Sequence, residues 1–145
     1  MSPVNYKPEG FHSVTPYLVV QGADRLIDFL KQAFEAVEIY CSRNPDGRIN
    51  HAQFQIGDSM IELAEGNDQW KPMPCALHLY VPDADAVYHR AIKAGARTLM
   101  EPADQVYGDR SGGVTDPSGN QWFIATKKEN LSEEEMQSRA AGKHA

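Results

Sequence analysis

Two short runs carry the residues best able to do chemistry. Ile49–Ile56 reads INHAQFQI and Ser59–Ala64 reads SMIELA, with Gly57-Asp58 between them. A two-residue Gly-Asp turn makes a β-hairpin in which Ile56 pairs with Ser59, so paired numbers sum to 115. Gln53 then lies opposite Glu62, Gln55 opposite Met60 and His51 opposite Ala64. Successive strand residues point to opposite faces. His51, Gln53, Gln55, Met60, Glu62 and Ala64 therefore share one face, while Ala52, Phe54, Ile56, Ile61 and Leu63 share the other. An imidazole that both donates and accepts, beside a carboxylate, is the material of general acid–base catalysis or of polar ligand recognition. His51 and Glu62 are the candidate catalytic pair. Diagonal neighbours in such a ladder stand about 7–8 Å apart at the backbone, within reach of long side chains. A structural His51–Glu62 hydrogen bond, or a plain solvent-facing strand, would use the same residues.

These strands belong to a pattern that occurs twice. Thr15–Val20 (TPYLVV) is β-prone, and Leu26, Ile27, Leu30, Ala33 and Phe34 follow at helical spacing. Ala76–Val81 (ALHLYV) is β-prone again. Its helix has Asp83 as N-cap, apolar Val87, Tyr88, Ala91 and Ile92, and Gly95 placed to end it. The halves superpose at an offset of 61, which puts Val20 on Val81, Asp24 on Asp85 and Ala33 on Ala94. Strand-like segments follow each helix: Val37–Ser42, Ile49–Ile56 and Ser59–Ala64 in the first half, and Arg97–Met100, Gly113–Thr115 and Gln121–Thr126 in the second. Pro45-Asp46-Gly47 and Asp116-Pro117-Ser118-Gly119-Asn120 read as turns. The predicted fold class is α+β, two βαβββ modules making a half-open β-barrel around a cavity. One domain spans 1–145: module one at about 11–64, a linker at 65–74 (EGNDQWKPMP), module two at about 75–127 and a C-terminal helix at about 132–140. Ser132 with Glu135 opens that helix as a capping box, and Ala141–Ala145 is expected to fray.

Composition narrows the function. With 41% hydrophobic and 23% charged residues, the chain reads as an ordinary globular protein. Its formal net charge of −6, without a Lys/Arg cluster, argues against nucleic acid and against anionic membranes. No apolar run approaches a membrane span. The polar stretch Met1–Gly10 has no signal-peptide core, so a cytoplasmic location is expected. Cys41 and Cys75 are read as free thiols.

Thr15-Pro16-Tyr17-Leu18, Pro45-Asp46-Gly47-Arg48, His51, Gly57-Asp58, Tyr107-Gly108-Asp109-Arg110, Asp116-Pro117-Ser118-Gly119-Asn120 and Trp122 stand in an order that resembles the vicinal oxygen chelate (glyoxalase/bleomycin-resistance/dioxygenase) superfamily, most closely its PhnB-like branch. The resemblance covers roughly residues 11–136. It implies a ligand cavity, a homodimer and, in the enzymes, a divalent metal held by one residue from the first and last strand of each module. Carried over, those positions are Thr15, Glu62, Ala76 and Phe123, of which only Glu62 suits such a metal. The expectation is a degenerate metal site with no cofactor. A shifted site of His51, Glu62 and His78 is the alternative.

The expected ligand-binding residues are Tyr17, Gln53, His78, Tyr80, Tyr107, Arg110 and Phe123. Arg110 would grip a carboxylate or phosphate, or else form a local pair with Asp109 or a dimer contact. Trp122 is expected in the core, Asp116 and Gly119 in a turn, and His12, His89 and His144 on the surface. Three functions follow: a small-molecule-binding protein; a lyase, isomerase or dioxygenase; or a module used only for assembly.

Overall fold

The computed structural model describes residues 3–143. Eleven elements follow in chain order: β1 (Tyr17–Val20), α1 (Ala23–Phe34), β2 (Val37–Arg43), β3 (Ile49–Ile56), β4 (Ser59–Glu65), β5 (Ala76–Tyr80), α2 (Ala84–Lys93), β6 (Arg97–Asp104), β7 (Asp109–Thr115), β8 (Gln121–Lys127) and α3 (Glu133–Lys143). The chain divides after Pro74 into two compact units. Each is a βαβββ module, the first with sheet order β1-β4-β3-β2 and the second with order β5-β8-β7-β6.

In the first unit the apolar face of the sheet packs on α1. Leu18, Ala52, Phe54 and Leu63 from the strands, and Leu26, Phe29, Leu30 and Ala33 from the helix, are all at most 1% exposed. Each Leu or Phe side chain so removed from water contributes about 1.5–3 kcal/mol, and each alanine methyl less. This burial fixes the register, because a one-residue slip would turn the core face outward. The β3–β4 pairing is the one the Gly-Asp turn dictates: Gln53↔Glu62, Phe54↔Ile61, Gln55↔Met60 and Ile56↔Ser59. α1 ends at Glu35, which takes a left-handed φ of 56°.

The second unit repeats the plan with Val114, Trp122 and Ile124 beneath α2, where Tyr88 and Ala91 are buried. Gly112 lets the Tyr88 ring lie on the sheet, since a Cβ there would stand 3.2 Å from it. Asp83 caps α2 by accepting from Ala86 N at 3.1 Å. The Asp116–Asn120 turn is a buried polar knot. Asp116 accepts from Ser118 N and Asn120 N through Oδ1, and from Asn120 Nδ2 and Trp122 Nε1 (2.8 Å) through Oδ2. Asn120 Oδ1 in turn accepts from Cys75 N, at the entry to β5.

Several boundaries differ from the sequence reading. Thr15 precedes β1, and Glu65 belongs to β4 rather than to a linker. β6 continues to Asp104 through Pro102, and β7 begins at Asp109. β6 is an edge strand with register shifts, which tolerates a proline. α3 opens on the expected Ser132 cap, with Glu135 N donating to Ser132 Oγ at 3.1 Å, and stays helical to Lys143. His144 and the rest of the expected frayed end lie outside the described residues. His12 and His89 are exposed, and Cys41 and Cys75 are free thiols. Among the described residues no helix is long and apolar enough to cross a membrane.

Candidate functional site: a polar rung across the first sheet

Opposite its helix, the first sheet presents one continuous row of paired residues. Tyr17 pairs with Glu62, Glu62 with Gln53, and Gln53 with Tyr40. The row thus runs Tyr17–Glu62–Gln53–Tyr40 over all four strands, about 14 Å from end to end at the usual strand spacing. Glu62 and Gln53 form the floor, and the two tyrosines, 49% and 51% exposed, form the ends.

His51 sits on the same face, two residues from Gln53. Its ring stacks on Tyr17 (centroids 5.7 Å apart, planes 9° apart) and lies 6.0 Å from the Tyr40 ring. Its Nε2 is 2.9 Å from Glu62 Oε1, which also accepts from Gln53 Nε2 at 3.1 Å. The diagonal neighbours of the ladder therefore meet through their side chains. With Nε2 protonated toward the carboxylate, Nδ1 keeps a lone pair that can accept a hydrogen bond. Burial and the nearby Glu62 carboxylate hold the Tyr17 phenol above its ordinary value of about 10, so Tyr17 is a neutral donor near neutrality. Glu62 Oε2 receives no hydrogen bond from the described residues. Met60, two residues along β4 from Glu62, is only 8% exposed; a Cβ on Gly10 would lie 3.0 Å from its Cε, so the Pro8–Phe11 turn covers the sheet face alongside the row.

The matching row in the second unit has different chemistry. His78 pairs with Phe123, Phe123 with Gly113, and Gly113 with Met100. Only His78 carries a polar side chain. Its ring makes an edge contact with Tyr80 at 4.7 Å, and Tyr80 OH donates to the buried Asp109 at 2.8 Å. That hydrogen bond, with some burial, raises the Tyr80 phenol.

The structure thus gathers Tyr17, His51, Gln53 and Glu62 on one sheet face, and His78, Tyr80 and Phe123 on the corresponding face of the other unit. Arg110 is placed elsewhere. It shares the helix-side face of β7 with Val114, and its guanidinium grips Asp85 of α2 with Nε at 2.7 Å and Nη2 at 3.0 Å, and Asp104 at 3.3 Å. Its partners are therefore neither Asp109 nor a free anion, and the paired Asp85 carboxyl lies below its ordinary value. Arg110 lines a cavity of about 310 Å3 at the start of α2, with Asp83, Asp85, Thr126 and Lys128. Tyr107 lies in the β6–β7 turn, 44% exposed.

Tyr40 is the member of the row that the sequence reading missed. The signal was the Pro45-Asp46-Gly47 turn, but β2 carries register shifts after Glu38 and after Ser42, which break a simple pairing sum.

The register also moves the superfamily's metal positions. Glu62 pairs with Tyr17 rather than Thr15, and Phe123 with His78 rather than Ala76. Phe123 offers no donor atom, and Glu62 Oε1 is committed to His51 and Gln53. No three His, Cys, Asp or Glu side chains converge as a metal set among the described residues. The side chains present therefore do not make the four-donor set of the metal enzymes.

Residues 10–124 match the family model of the Glyoxalase/Bleomycin resistance protein/Dioxygenase superfamily. The chain is 34% identical to an uncharacterised protein of Mycobacterium bovis, over 92% of this chain and 93% of that one. It is 34% identical to a Mycobacterium tuberculosis counterpart, covering 83% of its length. Among solved structures the fold is shared with TioX from Micromonospora (TM-score 0.69, 20% identity, 80% of this chain and 98% of that one). It is also shared with the PhnB protein of Bacillus cereus (0.65, 19%, 79% and 99%) and the fosfomycin resistance protein FosX of Mesorhizobium loti (0.61, 20%, 85% and 96%). With its two βαβββ modules and this match over most of its length, the chain belongs to the glyoxalase/bleomycin-resistance/dioxygenase superfamily.

Proposed function

We propose that this is a small-molecule-binding protein of the superfamily that works without the superfamily's metal. The observation that supports it is the Tyr17–Glu62–Gln53–Tyr40 row: a carboxylate and an amide between two half-exposed aromatic rings. A few convergent polar groups among aromatic side chains are the usual makeup of a ligand site. A thermal-shift screen of a broad compound library tests the reading, because a ligand that binds only the native state raises Tm. A hit must lose its shift in the Tyr17→Leu/Tyr40→Leu double variant, and a library that gives none overturns the reading. Tightly bound stoichiometric metal in the purified protein would also count against it.

The 2.9 Å approach of His51 to Glu62 favours a second reading, in which the ligand is a substrate. Glu62 would fix the imidazole tautomer and His51 Nδ1 would take a proton from it. Turnover of any hit that survives Tyr40→Leu but not His51→Gln would support this. A cytoplasmic homodimer is part of the same proposal. Val37 and Ile39 on the edge strand β2 are 58% and 45% exposed, and open apolar edges call for cover. A monomer mass in sedimentation at micromolar concentration would refute the dimer.

A further inference from the structure

We propose that the site on the first sheet selects an organic cation: a small molecule whose protonated or quaternary nitrogen sits on Glu62 Oε2, beside the half-exposed Tyr17 and Tyr40 rings that flank His51. The inference rests on the ligand-binding reading above and names its chemistry. Glu62 is half-buried, yet its partners are the His51 imidazole and the Gln53 amide. Among the described residues, the Lys and Arg ion pairs of this unit include Lys31–Glu38, Arg43–Asp24 and Arg48–Asp46, away from Glu62. A half-buried carboxylate with no Lys or Arg beside it favours a ligand that brings a positive charge. Oε2 is open to receive it. The Tyr17 and Tyr40 rings are electron-rich and half-exposed, with the His51 ring stacked on one face of Tyr17 and 6.0 Å from Tyr40, and an open aromatic face attracts a cation within about 6 Å of the ring. An anionic ligand would meet Glu62 head-on. A neutral ligand would gain at most a charge-assisted hydrogen bond from the carboxylate, without the attraction of opposite charges.

Three probes that share a benzyl group decide the point: benzyltrimethylammonium, benzyl alcohol and phenylacetate. Binding is followed by chemical shifts of the full-length protein at pH 8, above the ordinary histidine range. The expected result is that the ammonium perturbs Tyr17, Tyr40 and Glu62 resonances with at least tenfold higher affinity than either other probe. Glu62→Gln should abolish that preference, and Tyr40→Leu, a change at a half-exposed position, should weaken the cation at least fivefold with Tm held. If benzyl alcohol or phenylacetate binds the row as well as the ammonium, the cation proposal falls while the binding site stands. If none of the three perturbs the row, the cation proposal falls too, and the ligand-binding reading then stands or falls on the library screen alone. If Glu62→Gln is unfolded by circular dichroism, the Tyr40→Leu arm decides, and an unchanged affinity there overturns the proposal.

Discussion

Glu65 and Thr126 stand 61 residues apart and do the same work in their two modules. Glu65 Oε1 accepts from Ala23 N at 2.9 Å and its Oε2 from Gly22 N at 3.0 Å, at the start of α1. Thr126 Oγ1 accepts from Ala84 N at 2.8 Å, at the start of α2, and donates to Val81 O at 2.7 Å. Ala23 and Ala84 are themselves 61 residues apart. In both units the last strand of the sheet satisfies the first amides of the helix packed on it. Gly22 has no side chain to cap α1, so Glu65 is its acceptor. Glu65→Ala should cost about 1–2 kcal/mol of stability, the range of a lost N-cap. Urea denaturation measures it, and an unchanged midpoint would show that water replaces the carboxylate fully.

Asp116 should be the costliest polar residue of the second unit to remove. It is 3% exposed and accepts from Trp122 Nε1, the Asn120 side chain and two backbone amides. Asp116→Ala leaves buried donors without partners, each worth about 1–3 kcal/mol. A loss of at least about 3 kcal/mol, with a red-shifted tryptophan emission, is expected.

Glu62→Gln should barely affect folding. The side chain keeps its volume, is 22% exposed, and its amide oxygen can still accept from His51 Nε2, without the charge assistance. The expected cost is at most about 1 kcal/mol, set against a large loss of ligand affinity. A drop in Tm as large as that of Asp116→Ala would mark Glu62 as a structural partner of His51 instead.

The Arg110–Asp85 pair should appear on the acid limb of stability. Hydrogen bonding from Arg110 lowers the folded Asp85 carboxyl below its ordinary 3.8. Its contribution is therefore present above that value and is lost as pH falls through the depressed folded one. The stability gap between wild type and Arg110→Met should close as pH is lowered from about 5 to about 2. A gap constant across that window would mean the guanidinium acts by packing alone.

Two tyrosines should ionise late. Burial with the Glu62 charge raises Tyr17, and the hydrogen bond to Asp109 raises Tyr80. For a raised group the stabilisation is full below about pH 10 and is lost as pH rises through the folded value. In an absorbance titration at alkaline pH, Tyr17→Phe and Tyr80→Phe should each remove amplitude from the late phase. Loss from the early phase instead would contradict the placement.

What could be read in the sequence was whatever is set by neighbours along the chain. The Gly57-Asp58 turn dictated the β3–β4 register, and hence the shared face of His51, Gln53 and Glu62, because side chains alternate with a strict period of two. The 61-residue repeat, the Asp83 and Ser132 caps and the core face of α1 were local patterns of the same kind. Other features depend on atoms far apart in the chain, and only the tertiary structure decided them. Parallel pairing of β1 with β4 put Tyr17 beside Glu62, and the irregular β2–β3 ladder brought Tyr40 to the end of the row. Strand alternation puts Arg110 on the helix side with Val114, but its partner there, Asp85 of α2 at 2.7 Å, was decided by how the helix lies on the sheet. A residue's face follows from its own strand, but its partner follows from which strand lies alongside, and that is settled when the apolar faces of helix and sheet close on each other.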